Sequence, residues 1–139
     1  MKRVVISVFV FLVVGCGTQD HRTYPVHGKV IFGDGSPMPG GTIEFRNVSQ
    51  DDAAIIASGI VAEDGTFELI TFGNKKGAVA GTHRVIVSPK RTPPPAAPGA
   101  KPLQRPTVDP RFLNYNTSEL EVTVSDDENN FEIRVERLK

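Results

Sequence analysis

The stretch Ile55-Ile56-Ala57-Ser58-Gly59-Ile60-Val61-Ala62-Glu63-Asp64-Gly65-Thr66-Phe67-Glu68-Leu69 decides the fold class. Asp64-Gly65 sits between two β-rich runs, and Asp-Gly closes tight hairpins because glycine takes a positive φ at no steric cost. Residues 66–72 alternate after the turn, with Phe67 and Leu69 facing inward. Residues 55–61 before it are apolar in both phases, so periodicity assigns them no core face. Outward from the hairpin the same period of two recurs. Tyr24, Val26, Gly28, Val30 and Phe32 alternate with Pro25, His27, Lys29 and Ile31, and after a Gly- and Pro-rich connection Ile43 and Phe45 alternate with Thr42, Glu44 and Arg46. His83, Val85 and Val87 share one side of residues 82–88. Leu120, Val122 and Val124 form a sixth run, and Phe131, Ile133 and Val135 a seventh, with residues 126–130 expected to join them as a hairpin. Residues 73–81 read as a loop, and no window has apolar residues at helical spacing over a useful length. Seven short alternating runs predict an all-β, seven-stranded Greek-key β-sandwich over residues 24–139.

One segment breaks the pattern. Residues 89–110 hold eight of the eleven prolines and little that can pack, which predicts a long Pro-rich loop or polyproline arm. Its basic side chains Lys90, Arg91, Lys101 and Arg105 have no acidic neighbour between them, whereas residues 119–132 carry six acids and no base. These four are the candidate interaction residues, suited to an envelope protein, a polysaccharide or anionic lipid.

The N-terminus supplies an address. Met1-Lys2-Arg3 precedes eleven residues, Val4 to Val14, broken by one Ser, and then Gly15-Cys16. A positive start and a short apolar run are the marks of a secretory signal peptide, and the run is about half of the roughly 20 residues that a spanning helix needs. Val13-Val14-Gly15-Cys16 resembles the bacterial lipobox, in which the Cys thiol is linked to diacylglycerol. The single cysteine of the chain thus falls where export chemistry uses it. The expectation is a signal peptide over residues 1–15, a lipidated Cys16 at the head of a polar tether ending at Thr23, and a membrane-anchored, extracytoplasmic domain. Gly17, in place of the Asp that retains enteric lipoproteins in the inner membrane, points toward the outer membrane, with the cell membrane as the alternative.

Composition closes off several functions. With 16 basic and 16 acidic side chains in 139 residues, the chain has no basic field of the kind that nucleic acid attracts. One Cys and three His build neither a disulfide framework nor a Cys-rich zinc site, and the absence of Trp leaves little stacking surface for sugars. No nucleophile elbow, zincin helix or phosphate loop occurs, so no catalytic, cofactor or metal residue is assigned and no enzyme is expected. His83, on an apolar strand face, reads as a core or rim histidine satisfied by one hydrogen bond. The run Asp126-Asp127-Glu128-Asn129-Asn130 reads as a solvated turn, with calcium as the alternative.

The ordered set Val26-His27-Gly28-Lys29-Val30, Pro39-Gly40-Gly41-Thr42-Ile43-Glu44-Phe45, Asp64-Gly65-Thr66-Phe67 and Gly81-Thr82-His83-Arg84-Val85-Ile86-Val87 resembles the carboxypeptidase regulatory-like domain. The ending, with its Pro-rich insertion, Pro110-Arg111-Phe112-Leu113-Asn114-Tyr115 and Phe131-Glu132-Ile133, is similar to small lipoproteins of planctomycete bacteria. The resemblance spans residues 24–137 and implies a transthyretin- or prealbumin-like sandwich serving as a non-catalytic accessory or binding module. It transfers no catalytic residues. His83 stands where relatives often have an aromatic, and the Tyr-Arg-Gly-Ser ending of the transthyretin-like isourate hydrolases is replaced by Arg134-Val135-Glu136-Arg137-Leu138-Lys139. The expected role is structural or protein-binding in the cell envelope, with carbohydrate or calcium binding as the alternative and a transthyretin-like hydrolase as a remote one.

Overall fold

The computed structural model describes residues 21–48, 54–91, 98 and 108–139. Eleven strands follow in chain order: β1 (Thr23–Tyr24), β2 (Val26–Phe32), β3 (Gly41–Asn47), β4 (Ile56–Val61), β5 (Thr66–Glu68), β6 (Ile70–Thr71), β7 (Lys75–Lys76), β8 (Ala78–Val79), β9 (Gly81–Pro89), β10 (Glu121–Val124) and β11 (Asn129–Val135). A 3-10 turn over Pro110–Leu113, opened by Asp109 accepting a hydrogen bond from the Arg111 amide, precedes β10. Among the described residues no helix is long and apolar enough to cross a membrane.

The strands form a six-stranded sheet in the order β10-β9-β3-β4-β6-β7, a three-stranded sheet β11-β2-β5, and a two-stranded ribbon β1-β8. Alternation explains how the two larger sheets meet. Ile43 and Phe45 of β3 and Val85 and Val87 of β9 are fully buried on one face, opposite Val26, Val30, Phe67, Ile133 and Val135 of the smaller sheet. Phe45 is the pin between the layers. Its ring lies 6.2 Å from Phe67 and 5.9 Å from Phe131, both on the opposing sheet, and both pairs are tilted as aromatic quadrupoles prefer. An all-β, layered sandwich is therefore what the chain builds.

Strands form in all seven expected runs, the first divided at Pro25 between β1 and β2, and the short strands β7 and β8 lie outside them. The expected run 66–72 divides at the buried Leu69: β5 pairs with β2 in the small sheet, and β6 pairs with β4 in the large one. Both Phe67 and Leu69 still point inward, because the core lies between the sheets. Gly65 takes φ 83° at the turn, and the Asp64 carboxylate accepts from both the amide and the hydroxyl of Thr66. In the third run it is Ala57 and Val61 that face the core, leaving Ile56 and Ile60 outside. The expected loop 73–81 contains β7, which pairs with β6, and β8, which pairs with β1.

One expectation is overturned. Residues 126–130 do not join the last two strands as a hairpin: β10 runs antiparallel to β9 in the large sheet, and β11 runs parallel to β2 in the small one. The connection instead carries the chain from one layer to the other. Asn129 holds this corner, its side-chain oxygen accepting from the Ser125 amide and hydroxyl at 2.9 Å and its NH2 donating to the Asp127 carbonyl at 2.6 Å, while its own amide donates to the Pro25 carbonyl. Removing this buried network strands several polar groups, so Asn129→Ala is expected to lower unfolding free energy by about 2 kcal/mol in urea titrations.

The Pro-rich arm is also shorter than the expected span 89–110. Strand β9 continues through Pro89, and Val108 is fully buried and bridges to Arg137. Phe112 of the 3-10 turn is likewise buried in the core. Arg137 lies 3.9 Å over the Phe32 ring and pairs with Asp34, whose carboxyl is lowered to about 2, first by the Ser36 hydroxyl and amide and then by the guanidinium.

Candidate functional site

The strand directions give the molecule two distinct ends. β1 pairs with β8, which leads directly into the start of β9, and β9 then runs nine residues, about 30 Å, to Pro89. Lys90 and Arg91 follow, and the chain re-enters at Val108, beside Arg137 at the far end of β11. Both roots of the arm thus lie at the end opposite the N-terminal strand.

That distal end carries an open groove of about 680 Å³ between residues 40–42, 60–63 and 88–91. Thr42 of β3 is flanked in register by Ile60 and Ser88, so these three side chains form one outward row. Ile60 is 79% exposed, an unusual state for a strand isoleucine, and it supplies the apolar centre of the groove. Lys90 borders it, with Nζ 3.2 Å from Glu63 Oε1, while Arg91 has no ion pair with any described residue. Both groups of the ion pair are mostly solvated, so it orients Lys90 without fixing it strongly. The arrangement suits an extended chain with apolar and polar or anionic groups in alternation.

Of the candidate interaction residues, Lys90 and Arg91 are brought together on this groove, and Lys101 and Arg105 lie outside the described residues. Cys16 and the lipobox also lie outside them. The sequence marks the charged rim but misses Ile60, because the run 55–61 is apolar in both phases. The alternation of small Ala57 and Gly59 with larger Ile56 and Ile60 is the signal that could have placed it.

Tyr115 reaches Glu44 and Arg46, which alternate along β3 with the buried Ile43 and Phe45. Tyr115 donates its hydroxyl to Glu44 Oε2 at 3.0 Å, and Arg46 lies 5.5 Å from its ring. Burial first, and then the Glu44 carboxylate, pushes the phenol pKa up. A smaller cleft of about 170 Å³ opens beside it, lined by Arg84, Tyr115, Asn116, Glu119, Leu120 and Glu121.

His83 belongs to the core. It is fully buried, 6.0 Å from the Phe45 ring, and its Nε2 lies 2.8 Å from the Val79 carbonyl, which assigns the proton to that nitrogen. Among the described residues Nδ1 has no hydrogen-bond partner. Burial pulls the imidazole pKa below the ordinary 6.5, against the opposing pull of the Val79 and Phe45 backbone. As pH falls, the unfolded chain therefore protonates first, near 6.5, and stability that is complete above this value is lost below it. Urea denaturation is expected to show a decline on the acid side of at most about 1.4 kcal/mol per pH unit, and His83→Gln to remove most of it.

The acidic turn is held by Asn129 as described, and among the described residues no three His, Cys, Asp or Glu side chains come together as a metal-holding group. His27 lies 3.7 Å from Glu128 at the solvent surface. Comparison with protein-family models, with curated proteins and with solved structures found no match to this chain.

Proposed function

We propose that this chain is a lipid-anchored, extracytoplasmic β-sandwich that acts as a structural or protein-interaction module of the cell envelope. The single observation that carries the reading is polarity: the groove with Ile60, Lys90 and Arg91, and both roots of the Pro-rich arm, share the end opposite the strand that continues the Cys16 tether. A tethered domain built this way offers its arm to the space away from the membrane, so a protein or polysaccharide suits the basic residues better than anionic lipid. The finer fold reading, a seven-stranded Greek key of the transthyretin-like, carboxypeptidase regulatory-like kind, belongs to the same proposal. Its support is the order of the family-like motifs, which fall on β2, on β3, on the Asp64-Gly65 turn and on β9.

Two experiments test it. Labelling with a palmitate analogue in cells is expected to mark the wild-type chain and to vanish in Cys16→Ser, whereas label retained in that variant removes the anchor. A photo-crosslinking amino acid at position 60, in intact cells, is expected to capture one dominant envelope protein. Capture should disappear when residues 92–107 are replaced by a Gly/Ser linker, a replacement that spares the buried Val108. If nothing is captured, the interaction reading falls and calorimetry with envelope glycans and calcium tests the alternative.

A further inference from the structure

The end opposite the groove has its own surface, centred on the turn between β6 and β7. Phe72 stands there 54% exposed, with φ 53°. A bulky residue in the left-handed region is strained, and neither burial nor turn geometry rewards a phenylalanine at this position. Basic side chains lie near it. Lys75 Nζ lies 5.9 Å from the Phe72 ring, His21 stacks on the ring at 6.2 Å with planes 25° apart, and Arg22 lies 5.4 Å from the adjacent Tyr24 ring. Lys76 pairs with Glu68 at 3.3 Å with both side chains largely solvated.

The position of this tip along the chain identifies its partner. His21, in contact with Phe72, is only five residues from Cys16, which at full extension is no more than about 18 Å. We infer that the tip formed by Phe72, Lys75 and His21 docks onto the lipid bilayer that holds the anchor, the Phe72 ring entering the headgroup boundary and the lysines reaching the phosphates. The inference rests on the lipid-anchor reading of Cys16. An aromatic ring flanked by long cationic side chains matches that interface, where rings with apolar bodies are favoured and ammonium groups snorkel to the polar layer. Docking fixes the orientation of the sandwich, so that β9 carries the groove away from the membrane instead of letting the domain tumble on its tether.

The chain has no tryptophan, so Phe72→Trp introduces a single reporter at an exposed site. The full lipidated chain is reconstituted into phosphatidylethanolamine/phosphatidylglycerol vesicles with or without brominated acyl chains. Brominated lipid is expected to reduce Phe72→Trp emission about twofold, as for residues of the aromatic belt. Leu138→Trp, at the opposite end, is expected to be unaffected, and Lys75→Glu combined with Lys76→Glu to restore most of the Phe72→Trp emission. Co-flotation with the vesicles is measured in the same samples. Protein that floats while Trp at 72 remains unquenched overturns the docking and leaves the anchor standing. Protein that does not float overturns both.

Discussion

Adding one methyl group at Gly28 is expected to cost about 3 kcal/mol or more, a large share of the stability of a domain this size. Gly28 is in the middle of β2, paired with Phe131 of β11 on one side and Phe67 of β5 on the other. A Cβ there would collide with the Phe131 carbonyl oxygen and lie 2.9 Å from Phe67 Cζ. The Phe67 ring could turn aside, but the carbonyl is backbone in a parallel ladder and moves only if the two strands part. Gly28→Ala should therefore shift the urea midpoint strongly downward. Gly33→Ala serves as the control, because nothing lies within 4 Å of its Cβ position, and its effect is expected to stay within about 0.5 kcal/mol. Equal midpoints for the two variants would show that the small sheet yields at β2 without loss.

Phe45→Ala is the second large effect, about 3 to 5 kcal/mol by urea denaturation. The side chain is wholly buried and contacts rings from three directions, Phe67, Phe131 and His83. Removing it leaves a void between two sheets whose backbones are held by their own ladders and cannot close over it. Phe45→Leu fills most of that volume and is expected to recover more than half of the loss. A Phe45→Ala variant destabilised by less than about 1 kcal/mol would mean that the layers are held together elsewhere.

The core faces of β2, β3, β5 and β9 were legible because each needs only its own alternation: Val26, Val30, Ile43, Phe45, Phe67, Val85 and Val87 all lie where a period of two puts them. Pairing was not legible. The alternation of Phe131, Ile133 and Val135 is the same whether β11 joins β10 or β2, and a cluster of Asp and Asn looks alike in a hairpin and in a crossover. The deciding residue, Asn129, acts through hydrogen bonds to Ser125 and Asp127 and through its backbone N–H, which donates to the Pro25 carbonyl, the last a contact across 104 positions of sequence. Ile31 departs from alternation because residues 33–37 fold back and bridge Pro37 to it. At the candidate site, charge and proline content pointed to Lys90 and Arg91, but that they share a groove with Ile60 depends on the register of β3 with β4 and β9, which no local pattern encodes.

The parallel ladder between β2 and β11 also sets a schedule. It joins the first long strand of the domain to the last, Val26 to Asn129 and Phe32 to Val135, so the smaller sheet lacks one side until almost the whole chain is present. Contacts this distant make folding slow relative to local structure formation. Under the export proposed above, with the N-terminus crossing first, residues 129–135 cross last, and the smaller sheet is completed only on the far side of the membrane.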